Sequence, residues 1–368
     1  MHINLILIPF IIILGLLLKD NRKNRLFYVV FVGAVLLFVA AMRHPEFMED
    51  TYGIDALTYK IMFIDTFDIG WNELWIMIRQ RYIELELDSD IGYLIFSKMI
   101  SYLTRDFQFF SLIADMLTFI PLCVILYRYT TNMRQLMFAF VFYIALVQIF
   151  FLGGARQMFA LGFDLMALIA MLDKKRLLMT VFFLLGITLH FSSILFIIPL
   201  LMIWLNFSPR ALKIIHTVSF LIFPIAYYYP NEMIRFMGNL LEMEKYAQYG
   251  EGSIAGGANT FVLMIESLSL FCLFAIKRND LENNSIIRYF YVMIPLFTLF
   301  APLINGNGSM IRVSLYYHIF LMILVPYGIE CLFDKKSLNL AYFVAIGALT
   351  LLTLSNGGIM YYFSWQQF

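Results

Sequence analysis

Apolar runs of roughly membrane-spanning length recur along this chain from residue 3 to residue 354, and no water-soluble fold buries so many of them. They fall at 3–18, 26–42, 109–127, 136–152, 158–172, 212–228, 261–276, 287–301, 313–329 and 338–354, with a longer one at 177–205. The 368 residues are 62% hydrophobic and only 14% charged, where a soluble domain carries about 25% charge. The pattern predicts an all-α, polytopic membrane helical bundle forming a single integral membrane domain over residues 1–368. The net charge of +1 gives no sign of a nucleic-acid partner. Cys123, Cys272 and Cys331 fall in or beside apolar runs without metal-ligand spacing, and read as packed thiols. The first run lacks a basic leader and a small-residue cleavage site, so it is expected to stay as a span.

The run at 177–205 decides the topology. As one straight helix it would be ~43 Å long, against a hydrocarbon core of ~30 Å. As two short or re-entrant segments it bends at His190-Phe191-Ser192-Ser193. Only the second choice puts the basic loops, such as those at 19–25, 128–134, 174–176, 277–288 and 335–336, on one face. That choice gives about twelve transmembrane segments with both termini outside. Re-entrant backbone at membrane depth needs protein or water around it, so a cavity is expected at His190.

The opposite, extracytoplasmic face then carries two long loops, 43–106 and 229–259. The first is strongly acidic, and its stretches 54–67 and 91–103 have apolar residues at helical spacing, as expected of interfacial helices. Trp71, Trp75, Tyr82 and Tyr93 fit an aromatic belt, and equally fit platforms on which sugar rings stack.

The stretch 153–193 holds the sharpest chemistry. Arg156 opens one apolar segment, Lys174-Lys175-Arg176 closes it, and the next segment runs to His190. If both cross the bilayer, Arg156 and His190 return to the same face, and ionisable groups there mark a functional site. The competing reading is an arginine reaching for headgroups and a histidine ending a helix. Arg43 and Arg312 also sit at span ends on this face. Guanidinium groups bind phosphate bidentately, so converging arginines suit a lipid-linked phosphate or diphosphate. No P-loop, dinucleotide fingerprint, HExxH or Gly-x-Ser-x-Gly motif competes. Asp115, Asp164 and Glu266 are the main charges inside spans, fewer than a proton-coupled transporter usually carries.

Four short elements, in order, resemble the EpsG-like family of the Wzy-type polymerases that build O-antigen, capsule and exopolysaccharide. Gly53-Ile54-Asp55-Ala56-Leu57-Thr58-Tyr59 resembles its Gly-x-Asp-x-x-x-Tyr element, and Arg156-Gln157 its Arg-Gln element. His190-Phe191-Ser192 resembles its His-x-Ser element, and Arg312-Val313-Ser314-Leu315-Tyr316 its late Arg-x-x-x-Tyr segment.

The resemblance implies a glycosyltransferase of the bacterial cytoplasmic membrane that joins oligosaccharide units carried on undecaprenyl diphosphate, outside that membrane. It implies no cofactor and no metal, with arginines in the metal's place. Arg156, Arg312 and then Arg43 are the expected charge stabilisers for the leaving diphosphate. His190 is the expected base for the acceptor hydroxyl, or else a diphosphate ligand with Asp55 as the base. Gln157, Tyr59, Ser192 and Tyr316 are expected to contact sugar or phosphate. The bilayer and the lipid-linked oligosaccharide are the expected partners, and whether a chain-length regulator binds is open. A ligase of similar build and a flippase or transporter of the same lipid-linked sugars are the alternatives.

Overall fold

Asn21, Asp106, Asn132, Ser208 and Asn284 each accept a hydrogen bond from the backbone N–H three residues on, at 2.7–3.2 Å. A short polar side chain that satisfies an orphan N–H of the first turn is a strong helix-start signal. These caps open helices that the apolar runs then continue.

The computed structural model of the chain describes residues 2–47, 55–84, 90–240, 259–307, 310–355 and 361–366. Gly53 and Ile54 of the first family element, most of the expected loop 229–259, and the side chain of Tyr82 lie outside the described residues. Among the described residues all regular structure is helical, apart from one isolated antiparallel bridge between Arg43 and Phe363. The chain divides into two compact units, residues 1–197 with 346–368, and residues 198–345.

The first unit begins with α1 (Asn4–Leu17) and α2 (Arg22–Ala41), followed by α3 (Ala56–Asp65), α4 (Trp71–Tyr82) and α5 (Ile91–Ser101). Then come α6 (Phe107–Tyr129), α7 (Met133–Leu146), α8 (Gln148–Gly153), α9 (Ala155–Leu172) and α10 (Arg176–Leu189), and a 3-10 turn over Phe191–Phe196. Helix α6 packs against both α2 and α9, and α9 packs along α10.

The expected interfacial stretches 54–67 and 91–103 do form helices, α3 and α5, and bury Phe63 and Tyr93 in protein while leaving Ile61, Ile64, Met99 and Leu103 exposed. Phe63 stacks on Phe110 of α6 at 4.3 Å, and Tyr93 stacks on Phe159 of α9 at 5.8 Å. Lys98 of α5 donates to the carbonyls of Thr66 and Phe67 at 2.9 and 3.2 Å, so a cation satisfies acceptors just past the end of α3. Helix α4 lies in a stretch where no element was expected. It exposes Trp75, while Trp71 stacks on Tyr102 and donates its indole N–H to that hydroxyl at 2.9 Å.

The second unit holds α11 (Ile197–Trp204), α12 (Pro209–Tyr228), α13 (Pro230–Leu240), α14 (Asn259–Ala275) and α15 (Arg278–Asn283). It continues with α16 (Ser285–Tyr291), α17 (Met293–Phe300), a 3-10 turn over Ala301–Asn305, α18 (Ile311–His318), α19 (Leu321–Leu332) and α20 (Leu338–Ser355), whose last turns return to the first unit. Its interior is tied by a polar chain. Tyr291 Oη lies 2.6 Å from His216 Nδ1, His216 Nε2 lies 2.9 Å from Ser269 Oγ, and that hydroxyl lies 2.6 Å from Thr298 Oγ1. Side-chain hydrogen bonds of this kind join helices where no water competes.

Helices α2, α6 and α12 and the segment Ser285–Asn305 are long and apolar enough to cross a membrane, and α18 with α19, bent by 48° at their break, makes a fifth if the two form one span. The expectation of about twelve crossings is larger because most other apolar runs form helices of only 10–17 residues, among them Asn4–Leu17, Met133–Leu146 and Arg176–Leu189. The run 136–152 stops at Val147 and restarts as α8, and the run 177–205 breaks at His190, where the backbone is extended.

Candidate functional site

The break at His190 is where the candidate site forms. Helix α10 ends there with the His190 N–H donating to the Gly186 carbonyl at 3.0 Å, and the 3-10 turn starts with the Ser193 N–H donating back to the His190 carbonyl at 3.0 Å. The 3-10 turn packs against α9 and α10, so the imidazole is held at a joint rather than on a loose loop. Arg156 is the second residue of α9, a helix that starts directly after Gly154. It stands at a helix N-terminus, where unpaired N–H groups and the helix dipole already favour an anion.

Asp90, the residue before α5, connects these two. Its Oδ2 accepts from His190 Nδ1 at 2.9 Å and lies 3.2 Å from Arg156 Nη1. Its Oδ1 accepts the Phe191 N–H at 3.3 Å. Burial works against the charged carboxylate, but the His190 contact, the Arg156 charge and the Phe191 N–H together outweigh it and hold the Asp90 carboxyl below its ordinary value. An ionised carboxylate only accepts hydrogen bonds. Nδ1 of His190 therefore carries a proton, and in the neutral imidazole Nε2 is the acceptor.

Two aromatic contacts complete the site. Arg156 Cζ sits 5.7 Å from the centre of the Tyr59 ring, within cation–π range. Tyr59 is buried on α3, one turn after Asp55, which opens that helix. Arg81 of α4 places its Cζ 5.8 Å from the centre of the Phe191 ring, so a second guanidinium stands beside the His190 turn. The side chains of Arg156, Asp90 and His190 are 28, 15 and 18% exposed, partly desolvated yet reachable. Arg156 Nε is buried and makes no hydrogen bond among the described residues. The same holds for Nε of Arg25, Arg43 and Arg288, so what sets Arg156 apart is its place beside Asp90 and Tyr59 at a helix start.

The structure thus brings together Tyr59, Arg156 and His190 of the expected residues. Gln157 and Ser192, their chain neighbours, are buried behind them. Arg312 and Tyr316 belong to the second unit, where Arg312 lies in the first turn of α18 and Tyr316 is fully buried. Arg43 is placed differently from the expected open anion site. It is 1% exposed, 3.1 Å from Asp115 Oδ2 of α6, and it also donates to the Ala40 carbonyl.

Asp90 and Arg81 were passed over because each is one charge among many in the acidic loop 43–106. One local signal does exist for Asp90, namely its position directly before Ile91-Gly92 at a helix start. A Cβ on Gly92 would lie 2.5 Å from the Thr188 carbonyl carbon and oxygen, so only glycine lets α5 reach the end of α10 and bring Asp90 to His190. Gly92→Ala therefore pushes α5 off α10. We expect it to cut the activity of this site in membranes by up to about 10²-fold, the scale of a misplacement of roughly 1 Å in an active site, while Ala at the open position Gly70 leaves activity unchanged.

The apolar helices define an integral membrane protein, with Arg156, Asp90 and His190 gathered at the ends of three of them. The chain belongs to the EpsG family, whose model matches residues 26–365, nearly all of it; EpsG is a Wzy-like polymerase family. Neither a curated protein nor a solved structure matches the chain.

Proposed function

We propose that this protein is a membrane glycosyltransferase that polymerises oligosaccharide repeat units carried on undecaprenyl diphosphate, on the outer side of the bacterial cytoplasmic membrane. Family membership supports a membrane polysaccharide polymerase. The observation that carries the chemistry is the Arg156–Asp90–His190 group, with the unpaired Nε of Arg156 beside a histidine whose Nε2 accepts.

In this reading the growing chain on its lipid carrier is the donor and a hydroxyl of the incoming unit is the acceptor. His190 Nε2 takes the acceptor proton as the new carbon–oxygen bond forms. The bond from the anomeric carbon to the diphosphate oxygen breaks, and negative charge collects on undecaprenyl diphosphate. Arg156, with Arg81 close by, stabilises that charge. Tyr59 holds the Arg156 guanidinium in place, and Asp55 one turn away binds a sugar hydroxyl. The reaction proceeds without a metal or cofactor, the guanidinium groups filling the metal's role.

The test is purified protein in lipid vesicles supplied with lipid-linked repeat units, with the products separated by length. A ladder of repeats, unaffected by chelation of divalent ions and lost in Arg156→Ala, is the expected result. A single transfer to another acceptor assigns a ligase instead. Movement of the lipid-linked unit across the bilayer without any new glycosidic bond assigns a transporter.

A further inference from the structure

An apolar groove of about 290 Å³ runs between α2 and α6, on a face of the first unit unrelated to His190. Its lining is almost wholly hydrocarbon, and it extends along α2 from Leu26 to Leu37. The eleven helical rises from Leu26 to Leu37 make a groove roughly 16 Å long, close to half of a ~30 Å hydrocarbon core. The groove exists because α2 is small at its centre. A Cβ on Gly33 would come within 2.6 Å of Cys123 Sγ, so the two helices touch there, and Ala34 beside it leaves the space open.

One end of the groove is charged. Tyr127, which lines it, accepts a hydrogen bond from Arg22 Nε at 3.2 Å, so a guanidinium is fixed over the opening. Arg25 is occupied by the Thr130 carbonyl at 3.1 Å and by Asp20 at 3.7 Å. Lys19, Arg22 and Lys23 are exposed and make no ion pair among the described residues. The groove therefore joins an apolar slot one leaflet deep to an unneutralised cluster of cations at its mouth. A phosphate over an acyl chain has that shape and charge, and basic residues at a span end attract anionic headgroups. A zwitterionic headgroup brings its own cation and matches this mouth less well.

We propose that the α2–α6 groove binds one acyl chain of an anionic glycerophospholipid, with its headgroup phosphate held by Arg22, Lys19 and Lys23. The lipid completes the packing between the two helices and would remain bound through purification.

Native mass spectrometry of the delipidated protein, titrated with dioleoyl phosphatidylglycerol or dioleoyl phosphatidylcholine, tests this. The expected result is a retained phosphatidylglycerol adduct and at least tenfold weaker retention of phosphatidylcholine. Ala34→Phe fills the groove from an exposed position, and the double change Arg22→Gln with Lys23→Gln removes the headgroup charge. Each should lower phosphatidylglycerol retention about tenfold, whereas Val218→Phe, on an exposed face of α12, leaves it unchanged. Equal retention of the two lipids by the wild type overturns the proposal, as does undiminished binding in Ala34→Phe. Displacement of phosphatidylglycerol by an equimolar polyprenyl phosphate also overturns it, and gives the groove to an isoprenoid chain. Gel filtration of each variant confirms that a loss of adduct is not a loss of fold.

Discussion

Asp90→Asn will lower the rate of glycan polymerisation by about 10²–10⁴-fold, the range set by a positioned general base, with KM for the lipid-linked unit nearly unchanged. The reason lies in the imidazole tautomer. Ionised Asp90 accepts from His190 Nδ1 at 2.9 Å, which leaves the Nε2 lone pair for the acceptor hydroxyl. An asparagine amide at the same place also offers N–H donors, and a donor facing Nδ1 moves the ring proton to Nε2, where it blocks the base. Asp90 thus positions the base and touches no substrate itself. His190→Ala should cost as much, and the double variant no more than either single one, because groups that act as a unit are not additive. Asp90→Glu should recover part of the rate. Equal rates in Asp90→Asn and wild type at equal protein level would remove the Asp90–His190 pair from the mechanism.

The same pair sets an acid limit. The Asp90 carboxyl is held below its ordinary value in the folded protein. Its stabilising contribution is therefore complete above the unfolded value, about 4, and is lost as pH falls through the lower folded value. Melting temperatures measured against pH should show a constant gap between wild type and Asp90→Asn above about pH 4, closing as pH falls below it. Glutamine or asparagine at other acidic loop positions should leave this difference in place.

Asp115→Leu will destabilise the first unit by about 3–5 kcal/mol, the usual result of removing one partner of a buried ion pair. Arg43 and Asp115 are both 1% exposed and 3.1 Å apart, and no solvent reaches the guanidinium if the carboxylate is lost. The chain around Arg43 is fixed on several sides. Its backbone bridges Phe363, the His44 N–H donates to the Tyr362 carbonyl at 2.9 Å, and the Gln108 amide donates to the Arg43 carbonyl at 3.2 Å. The side chain therefore has no route to water. The double variant Arg43→Met with Asp115→Leu replaces the pair by apolar groups of similar size and should recover most of the stability. Gel filtration with a thermal ramp reads both effects. The double variant also separates two roles for Arg43. Stable and active protein means a structural pair, while stable and inactive protein returns Arg43 to the diphosphate site.

Much of the architecture is legible in the chain because it is local. The caps at Asn21, Asp106 and Asn132 precede apolar runs, and hydropathy marks helices α2, α6 and α12 directly. The break at His190 follows from a run too long for one crossing. Arg156, His190 and Tyr59 are legible too, since each is a chemically conspicuous residue at a predicted helix end or in a loop helix. The burial of Phe63 on α3 and Tyr93 on α5 was not legible. An amphipathic face looks the same in sequence whether lipid or Phe110 and Phe159 cover it.

Hydropathy and caps three residues from the N–H they satisfy are enough to read a helical membrane protein, the starts of its capped helices, and the cations and histidine at helix ends. Which charges meet depends instead on long-range packing. Asp90 reaches His190 across 100 residues of chain and Asp115 reaches Arg43 across 72. A carboxylate neutralises whichever cation folding brings within about 3–4 Å, so Arg43 became a buried strut while Arg156 stands partly exposed beside His190.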